Sequence, residues 1–183
     1  VHAHGALAAV ELVHNGHAVS NRYSRLPVMG VSDLPVAALE PSQACAMTRR
    51  DIADVRRWHR KAALRARDIG FDIVYVYAGH DLTLGMHFLS RRYNRRGDEY
   101  GGSLTNRLRL TQELLEATRE AVGDRCGIAF RFAVDELLGS EGLSCEAESR
   151  DVVEMLAEHP DLWDVNLSDW PNDSVTARFG AEG

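Results

Sequence analysis

The alternation of short apolar runs with amphipathic segments constrains the fold of this chain more than any other feature. Most of the apolar runs have no polar side to turn towards water, which indicates strands buried on both faces of a parallel sheet. The runs that predict strands are 7–14, 71–77, 127–134 and 162–169.

Three amphipathic segments between these runs predict helices. The first opens at Thr48 with a capping-box pattern and ends at Gly70. The second occupies 104–122, and the third starts near Ser144 and ends before Pro160. The order β-α-β-α-β-α-β therefore predicts an α/β fold with right-handed crossovers.

The number of elements predicts part of a larger architecture. A complete (β/α)8 TIM barrel takes about 250 residues, whereas this chain has 183 residues and provides four strands and three helices. The chain begins almost on a strand and has no initiator methionine, so we expect a central piece of such a barrel. A complete flavodoxin-like open sheet of similar length is the rival interpretation.

Composition argues against several classes of protein. The net charge of −6 disfavours nucleic-acid binding, because phosphate contacts need a basic face. No apolar run approaches the ~20 residues of a membrane span, and the N-terminus lacks the features of a secretory signal. The three cysteines are far apart and odd in number, which favours a reduced cytoplasmic protein over a disulfide framework or a zinc site.

Two long connections are the expected location of the functional residues. They cover 15–47 and 78–102, and each follows the carboxyl end of a predicted strand, where α/β proteins place their sites. Connections of this length inside a compact domain are usually functional.

The second connection carries a run with specific spacing, HFLSRRYNRRGDEYGGSLTNR over 87–107. It resembles the signature of the old yellow enzyme family, in which Phe-Leu-Ser leads to N-x-R-x-D-x-Y-G-G-S and then N-R. The resemblance implies an FMN-binding barrel, of which residues 1–183 would form strands three to six. Most of the run is expected to be scaffold, since its charged side chains can cross-link a long loop against the rim.

Tyr77 and His80 lie where the second strand ends, with two residues between them. Ene-reductases of the family have His-x-x-His or His-x-x-Asn there, whereas tyrosine in the first position resembles the trimethylamine, dimethylamine and histamine dehydrogenase branch. Ene-reductases also tend to have a proton-donating tyrosine where this chain has Leu82. The resemblance implies that Tyr77 and His80 are catalytic, with His80 making Tyr77 more acidic.

Arg131 stands in an otherwise apolar strand, so its guanidinium needs a partner. The resemblance implies that it faces the N1–C2 edge of the flavin, where positive charge stabilises a developing anion. A salt bridge to Asp135 or another barrel acid is the alternative.

Glu11 stands where ene-reductases commonly have glutamine. The resemblance implies that its carboxylate accepts a hydrogen bond from the flavin N3–H, with His14 close by. A glutamate paired only with protein groups is the alternative there.

Trp170 and Asp173 form a Trp-x-x-Asp pattern after the fourth strand. By resemblance to the amine dehydrogenases, Trp170 lines an aromatic substrate bowl and Asp173 completes a Tyr-His-Asp triad. Asp164 and Asp169 compete for the role of Asp173, and Trp170 packing at the rim is the alternative for the tryptophan.

The resemblance implies FMN-dependent oxidation of a methylated or histamine-like amine to an imine, which hydrolyses to an aldehyde or a demethylated amine. It also implies a 4Fe-4S cluster in a C-terminal part that this chain lacks, and an electron-transfer flavoprotein as partner. A homo-oligomer is expected because half a barrel has two open sheet edges. An NAD(P)H-dependent ene-reductase and an inactive barrel fragment remain the alternative functions.

Overall fold

The computed structural model describes residues 1–19, 26–36 and 42–167. Its strands are β1 (Ala9–Leu12), β2 (Val28–Gly30), β3 (Leu34–Pro35), β4 (Gln43–Ala46), β5 (Ile73–Ala78), β6 (Gly127–Asp135) and β7 (Leu162–Leu167). Its α-helices are α1 (Arg49–Asp68), α2 (Leu84–Leu89), α3 (Leu104–Val122) and α4 (Ser149–Leu156). Short 3-10 helices occupy His2–His4, Gly16–Ala18, Gly123–Arg125 and Gly139–Glu141.

The main sheet consists of four parallel strands in the order β1-β5-β6-β7. Neighbouring strands follow one another along the chain, with α1, α3 and α4 in the crossovers, as in a segment of a (β/α)8 barrel wall. All four predicted strands and the α/β class are therefore confirmed. This order also differs from a flavodoxin-like sheet, whose strands follow the order 2-1-3-4-5.

The two faces of the main sheet differ in burial. One face packs against the helices, and its side chains in β5 and β6 are almost completely buried: Val74, Val76, Ala78, Ile128, Phe130 and Phe132. The opposite face carries Tyr75 and Tyr77, which are only half-buried. We call this opposite face the inner face, defined by Glu11, Tyr77, Arg131 and Asp164. The prediction of burial on both sides is therefore confirmed for the helical face of β5 and β6. The inner face is buried at Ala129 and Ala133 but only half-buried at the two tyrosines.

Helices α1 and α3 begin and end where the sequence predicts. The Thr48 hydroxyl accepts from the Asp51 amide, and the Asp51 carboxylate accepts from the Thr48 amide at 2.8 Å, which completes the capping box. Ser103 caps α3, which ends at Gly123. None of the helices in the described ranges is long and apolar enough to cross a membrane.

The start of α4 was predicted wrongly. The helix begins at Ser149 rather than near Ser144, and turns occupy the residues between. Two tertiary contacts explain the late start. The carboxylate of Glu148 accepts from the buried Arg107 guanidinium at 2.5 Å, and the Ser149 hydroxyl donates to the Val134 carbonyl at 2.5 Å.

Both long connections contain structure that the sequence did not indicate. The first contributes a second sheet of three strands in the order β2-β4-β3, and the second contains α2. β1 is equally short but lies within the apolar run 7–14, whereas these strands lie in stretches interrupted by proline, glycine or polar residues, where hydrophobic periodicity is not visible. The expected cross-links are present: Asn94 donates to the Phe88 and Tyr100 carbonyls, and Arg96 donates to Asp98 and to the Met47 carbonyl.

Replacing Gly101 with alanine should destabilise the fold. A Cβ there would lie 2.2 Å from the Arg96 carbonyl oxygen, so the backbone of the cross-linked loop would have to shift. We expect a loss of about 1–3 kcal/mol in the free energy of unfolding. Gly97→Ala is the matched control, because a Cβ at that position meets nothing within 4 Å. Urea unfolding of both variants checks this, and equal midpoints would contradict it.

Candidate active site

The inner face brings together residues from all four strands of the main sheet. Tyr77 of β5 is in register with Arg131 of β6, and Arg131 is in register with Asp164 of β7. Glu11 lies on β1, paired with Tyr75. Side chains of alternate residues in a strand share a face, so these polar groups project from the same side of the sheet.

Arg131 lies at the centre of this cluster. Its Nη1 donates to Glu11 Oε2 at 3.3 Å, and its Nε lies 3.5 Å from Asp164 Oδ2. Its Cζ atom lies 5.3 Å from the centroid of the Tyr77 ring. Arg131 therefore has ion pairs with two barrel acids, Glu11 and Asp164. Asp135 instead accepts from the Leu137 amide at 2.7 Å.

The ion pairs keep Arg131 charged on a partly exposed surface. Burial opposes its charge, but the hydrogen bond with Glu11 and the charges of Asp164 and Glu11 outweigh burial and raise the pKa of Arg131. Its side chain is 36% exposed, and an arginine carries five N–H donors. The guanidinium therefore retains capacity to bind a further acceptor on the inner face.

Tyr77 and His80 are in direct contact, as the sequence suggests. The Tyr77 hydroxyl is hydrogen-bonded to His80 Nδ1. The contact forms because the chain turns sharply after β5, where His80 and Asp81 have φ angles of 57° and 55°. Left-handed backbone at such residues costs about 1–2 kcal/mol each, which surrounding contacts must offset.

The expected acidity of Tyr77 is wrong. Burial raises the pKa of Tyr77 to about 12, although the charge of Arg131 acts in the opposite direction. Burial, with the charge of Arg131, also lowers the pKa of His80 below its usual 6.5. At neutral pH the pair therefore consists of a protonated phenol and a neutral imidazole.

Of the remaining predicted site residues, the structure describes His14 but not those after β7. His14 follows β1, and its Nδ1 accepts from the Gly16 amide at 3.0 Å. Burial, with the nearby charge of His87, lowers the pKa of His14. Trp170 and Asp173, together with Asp169, lie outside the described residues.

A buried aromatic cluster beside the site was not predicted from the sequence. His17 and His87 lie with ring centroids 4.0 Å apart, and Tyr93 lies 4.7 Å from His17. Both histidines are almost completely buried. The pattern His14-x-x-His17 was the only sequence signal, and it did not reveal a partner 70 residues further along.

The stability of the chain should fall at mildly acidic pH. Burial lowers the pKa of His59 to about 4, and burial with the charge of His87 lowers that of His17 to about 4. The unfolded chain binds these protons from about pH 6.5 downwards, so stability is retained above this pH and lost as the pH falls towards 4. We expect a loss of about 2 kcal/mol per histidine between pH 7 and pH 5.

Urea unfolding at the two pH values measures this loss. His59→Gln is the informative variant, because glutamine can keep a hydrogen bond to Thr118, which His59 contacts at 2.8 Å. Its unfolding free energy should depend less on pH than that of the unmodified chain. The same pH dependence in both proteins would contradict a neutral buried His59.

Comparisons with known proteins cover most of the chain. The NADH:flavin oxidoreductase / NADH oxidase family model matches residues 1–179. Dimethylamine dehydrogenase of Hyphomicrobium sp. (strain x) is 37% identical over 98% of this chain and 25% of its own length. The chain thus spans about a quarter of the length of this relative.

Two solved structures have the same fold over most of the chain. The 6-hydroxypseudooxynicotine amine oxidase of Pseudomonas geniculata N1 superposes with a TM-score of 0.88 and 48% identity, over 92% of this chain and 25% of its own. Histamine dehydrogenase of Rhizobium sp. 4-9 gives a TM-score of 0.86 and 43% identity, over 92% and 25%.

Proposed function

The chain belongs to the NADH:flavin oxidoreductase / NADH oxidase family, and on that premise we propose that its site works with FMN to oxidise an amine. The observation that supports this most directly is the hydrogen-bonded Tyr77–His80 pair next to Arg131. The three similar proteins named above are two amine dehydrogenases and an amine oxidase. Residues 1–183 would form strands three to six of the FMN-binding barrel.

The inner face suits the isoalloxazine ring of FMN. Arg131 and Glu11 offer a cation and a carboxylate on the same face, and both are about one-third exposed. A guanidinium can meet a carbonyl edge that gains negative charge, and a carboxylate can accept from an N–H group. We propose that Arg131, Glu11 and His14 bind the pyrimidine side of the ring. FMN, when bound, supplies the acceptor for the two electrons that leave the amine.

The Tyr77–His80 pair would remove the proton from the substrate without forming a free phenolate. The Tyr77 oxygen can take a proton from a substrate ammonium while its own proton passes to His80 Nδ1. This relay is compatible with a Tyr77 pKa of about 12, because the tyrosine never has to stand ionised. It frees the nitrogen lone pair of the amine. Once two electrons and the α-hydrogen have also left the substrate, with FMN as the electron acceptor, the product would be an imine, which hydrolyses in water.

The residues beyond the described part complete the proposal. Asp173 would orient His80 and stabilise its protonated form, and Trp170 would hold an alkylammonium group by a cation–π interaction worth about 0.5–2 kcal/mol. Asp164 is the less suitable acid, since it already lies against Arg131. A 4Fe-4S cluster outside this chain, an electron-transfer flavoprotein as acceptor and a homo-oligomer stay predictions.

Parallel turnover assays test the proposed reaction. The FMN-loaded protein is supplied either with methylated amines or histamine and an artificial electron acceptor, or with NADPH and an activated alkene. We expect turnover with an amine and little with the alkene, because Leu82 cannot donate the proton that alkene reduction requires. The reverse pattern would establish an ene-reductase instead.

A further inference from the structure

The turn after β5 holds two consecutive residues in an unfavourable backbone conformation. His80 has φ 57° and Asp81 has φ 55°, and neither is a glycine. Left-handed backbone brings Cβ too close to the following carbonyl oxygen, although short polar side chains such as aspartate tolerate it best. Such a conformation persists only when the surrounding structure determines it, so the contacts that hold this turn are informative.

Two side chains hold Asp81 from outside the turn. The Tyr93 hydroxyl donates to Asp81 Oδ2 at 2.6 Å. Nε2 of His87, in α2, lies 3.0 Å from the Asp81 carbonyl oxygen and 3.4 Å from Oδ1. Both the carboxylate and the main chain of Asp81 are thus fixed, in a residue that is only 5% exposed.

The side chains that hold Asp81 are themselves anchored. His17, from the 3-10 helix after β1, packs against His87 and Tyr93 with ring centroids 4.0 and 4.7 Å away. Gly16 allows this approach, because a Cβ there would lie 2.7 Å from His87 Nδ1. Packed side chains therefore link the turn to the first long connection through His17, and to the rest of the second long connection through His87 and Tyr93.

We propose that Asp81, held by Tyr93 and His87, is a positioning residue that places the His80 imidazole against the Tyr77 hydroxyl. The inference rests on the role proposed above for Tyr77 and His80. Asp81 acts through the backbone that it shares with His80, because fixing Asp81 in the left-handed region determines where the preceding side chain points. A purely stabilising role for Asp81 is the competing interpretation.

Nitrogen NMR of the histidine rings tests the geometry without any enzymatic turnover. The Nδ1 signal of His80 is assigned in the unmodified chain, and Tyr77→Phe defines its position when the hydrogen bond is lost. Asp81→Ala should move the signal most of the way to the Tyr77→Phe position. Asp81→Asn should leave it near its original position, because asparagine tolerates left-handed backbone and can accept from Tyr93.

An unchanged His80 signal in Asp81→Ala would overturn the proposal and leave the proposed function intact. If Asp81→Ala does not fold, Tyr93→Phe takes its place, since it removes the hydroxyl donor and keeps the ring that packs on His17. It should shift the His80 signal in the same direction. An unshifted signal in a folded Tyr93→Phe would likewise overturn the proposal.

A double-mutant cycle separates positioning from general stabilisation. In the FMN-loaded protein, Asp81→Ala should lower the rate of flavin reduction at saturating amine by about tenfold to a hundredfold, as expected for a misplaced reacting group. In a Tyr77→Phe background the same substitution should change the rate less than about twofold, because the pair that it positions is already broken. An equal loss in both backgrounds would show that Asp81 only stabilises the fold.

Discussion

Replacing Tyr77 with phenylalanine is expected to slow flavin reduction by an amine about 10²–10⁴-fold, with FMN content unchanged. The substitution removes the hydroxyl that contacts His80 Nδ1, and with it the first step of the proton relay. The ring that packs beside Arg131 stays in place. Anaerobic stopped-flow measurement of flavin reduction, with the FMN-to-protein ratio determined on the same sample, gives both quantities.

Tyr75→Phe is the matched control for this substitution. Tyr75 lies two residues earlier on the same strand and the same face, so its variant loses a hydroxyl from the inner face without touching His80. We expect its reduction rate to stay within about twofold of the original. Equal losses of FMN and of rate in Tyr77→Phe would show that Tyr77 supports the flavin site rather than the reaction.

Replacing Arg131 with leucine is expected to lower the rate of flavin reduction about 10²–10³-fold, the loss typical of removing one donor aimed at a developing anion. The substitution also leaves the carboxylates of Glu11 and Asp164 on one face without their shared cation. FMN should bind more weakly as a result. Equilibrium titration with FMN and the reduction rate at saturating amine separate the two effects.

Two further variants define what Arg131 contributes. Arg131→Lys keeps the charge but loses the planar fork, so its rate should lie between those of the unmodified protein and Arg131→Leu. Arg125→Leu is the external control, because Arg125 pairs with the exposed Asp68 away from the inner face. If Arg131→Leu lowers the unfolding free energy but leaves FMN binding and the rate of flavin reduction unchanged, Arg131 has only a structural role through its ion pairs.

The sequence predicted the main sheet because its signals are local. Apolar runs long enough to show their pattern fixed all four strands, and caps at Thr48 and Gly123 fixed the ends of α1 and α3. The strands of the second sheet and helix α2 were not predicted, because these elements are short and depend on contacts with distant segments. The start of α4 was missed for the same reason, since the partner of Glu148 is Arg107, in another helix.

The candidate site was only partly predictable. The family signature led to Glu11, Tyr77, His80 and Arg131. The structure places Glu11, Tyr77 and Arg131 on the inner face, with His80 bonded to Tyr77 from the turn after β5. The protonation of Tyr77 was not predictable, because burial depends on tertiary packing that no motif reports. The left-handed turn at Asp81 was also hidden, since non-glycine residues seldom adopt that conformation.

The most direct test of amine oxidation at this site is the visible absorption spectrum of the FMN-loaded protein during anaerobic addition of an amine. We expect the oxidised flavin bands to disappear as a methylated amine or histamine is added, and to return when air is admitted. Bands that persist with every amine but disappear with NADPH would contradict amine oxidation at this site.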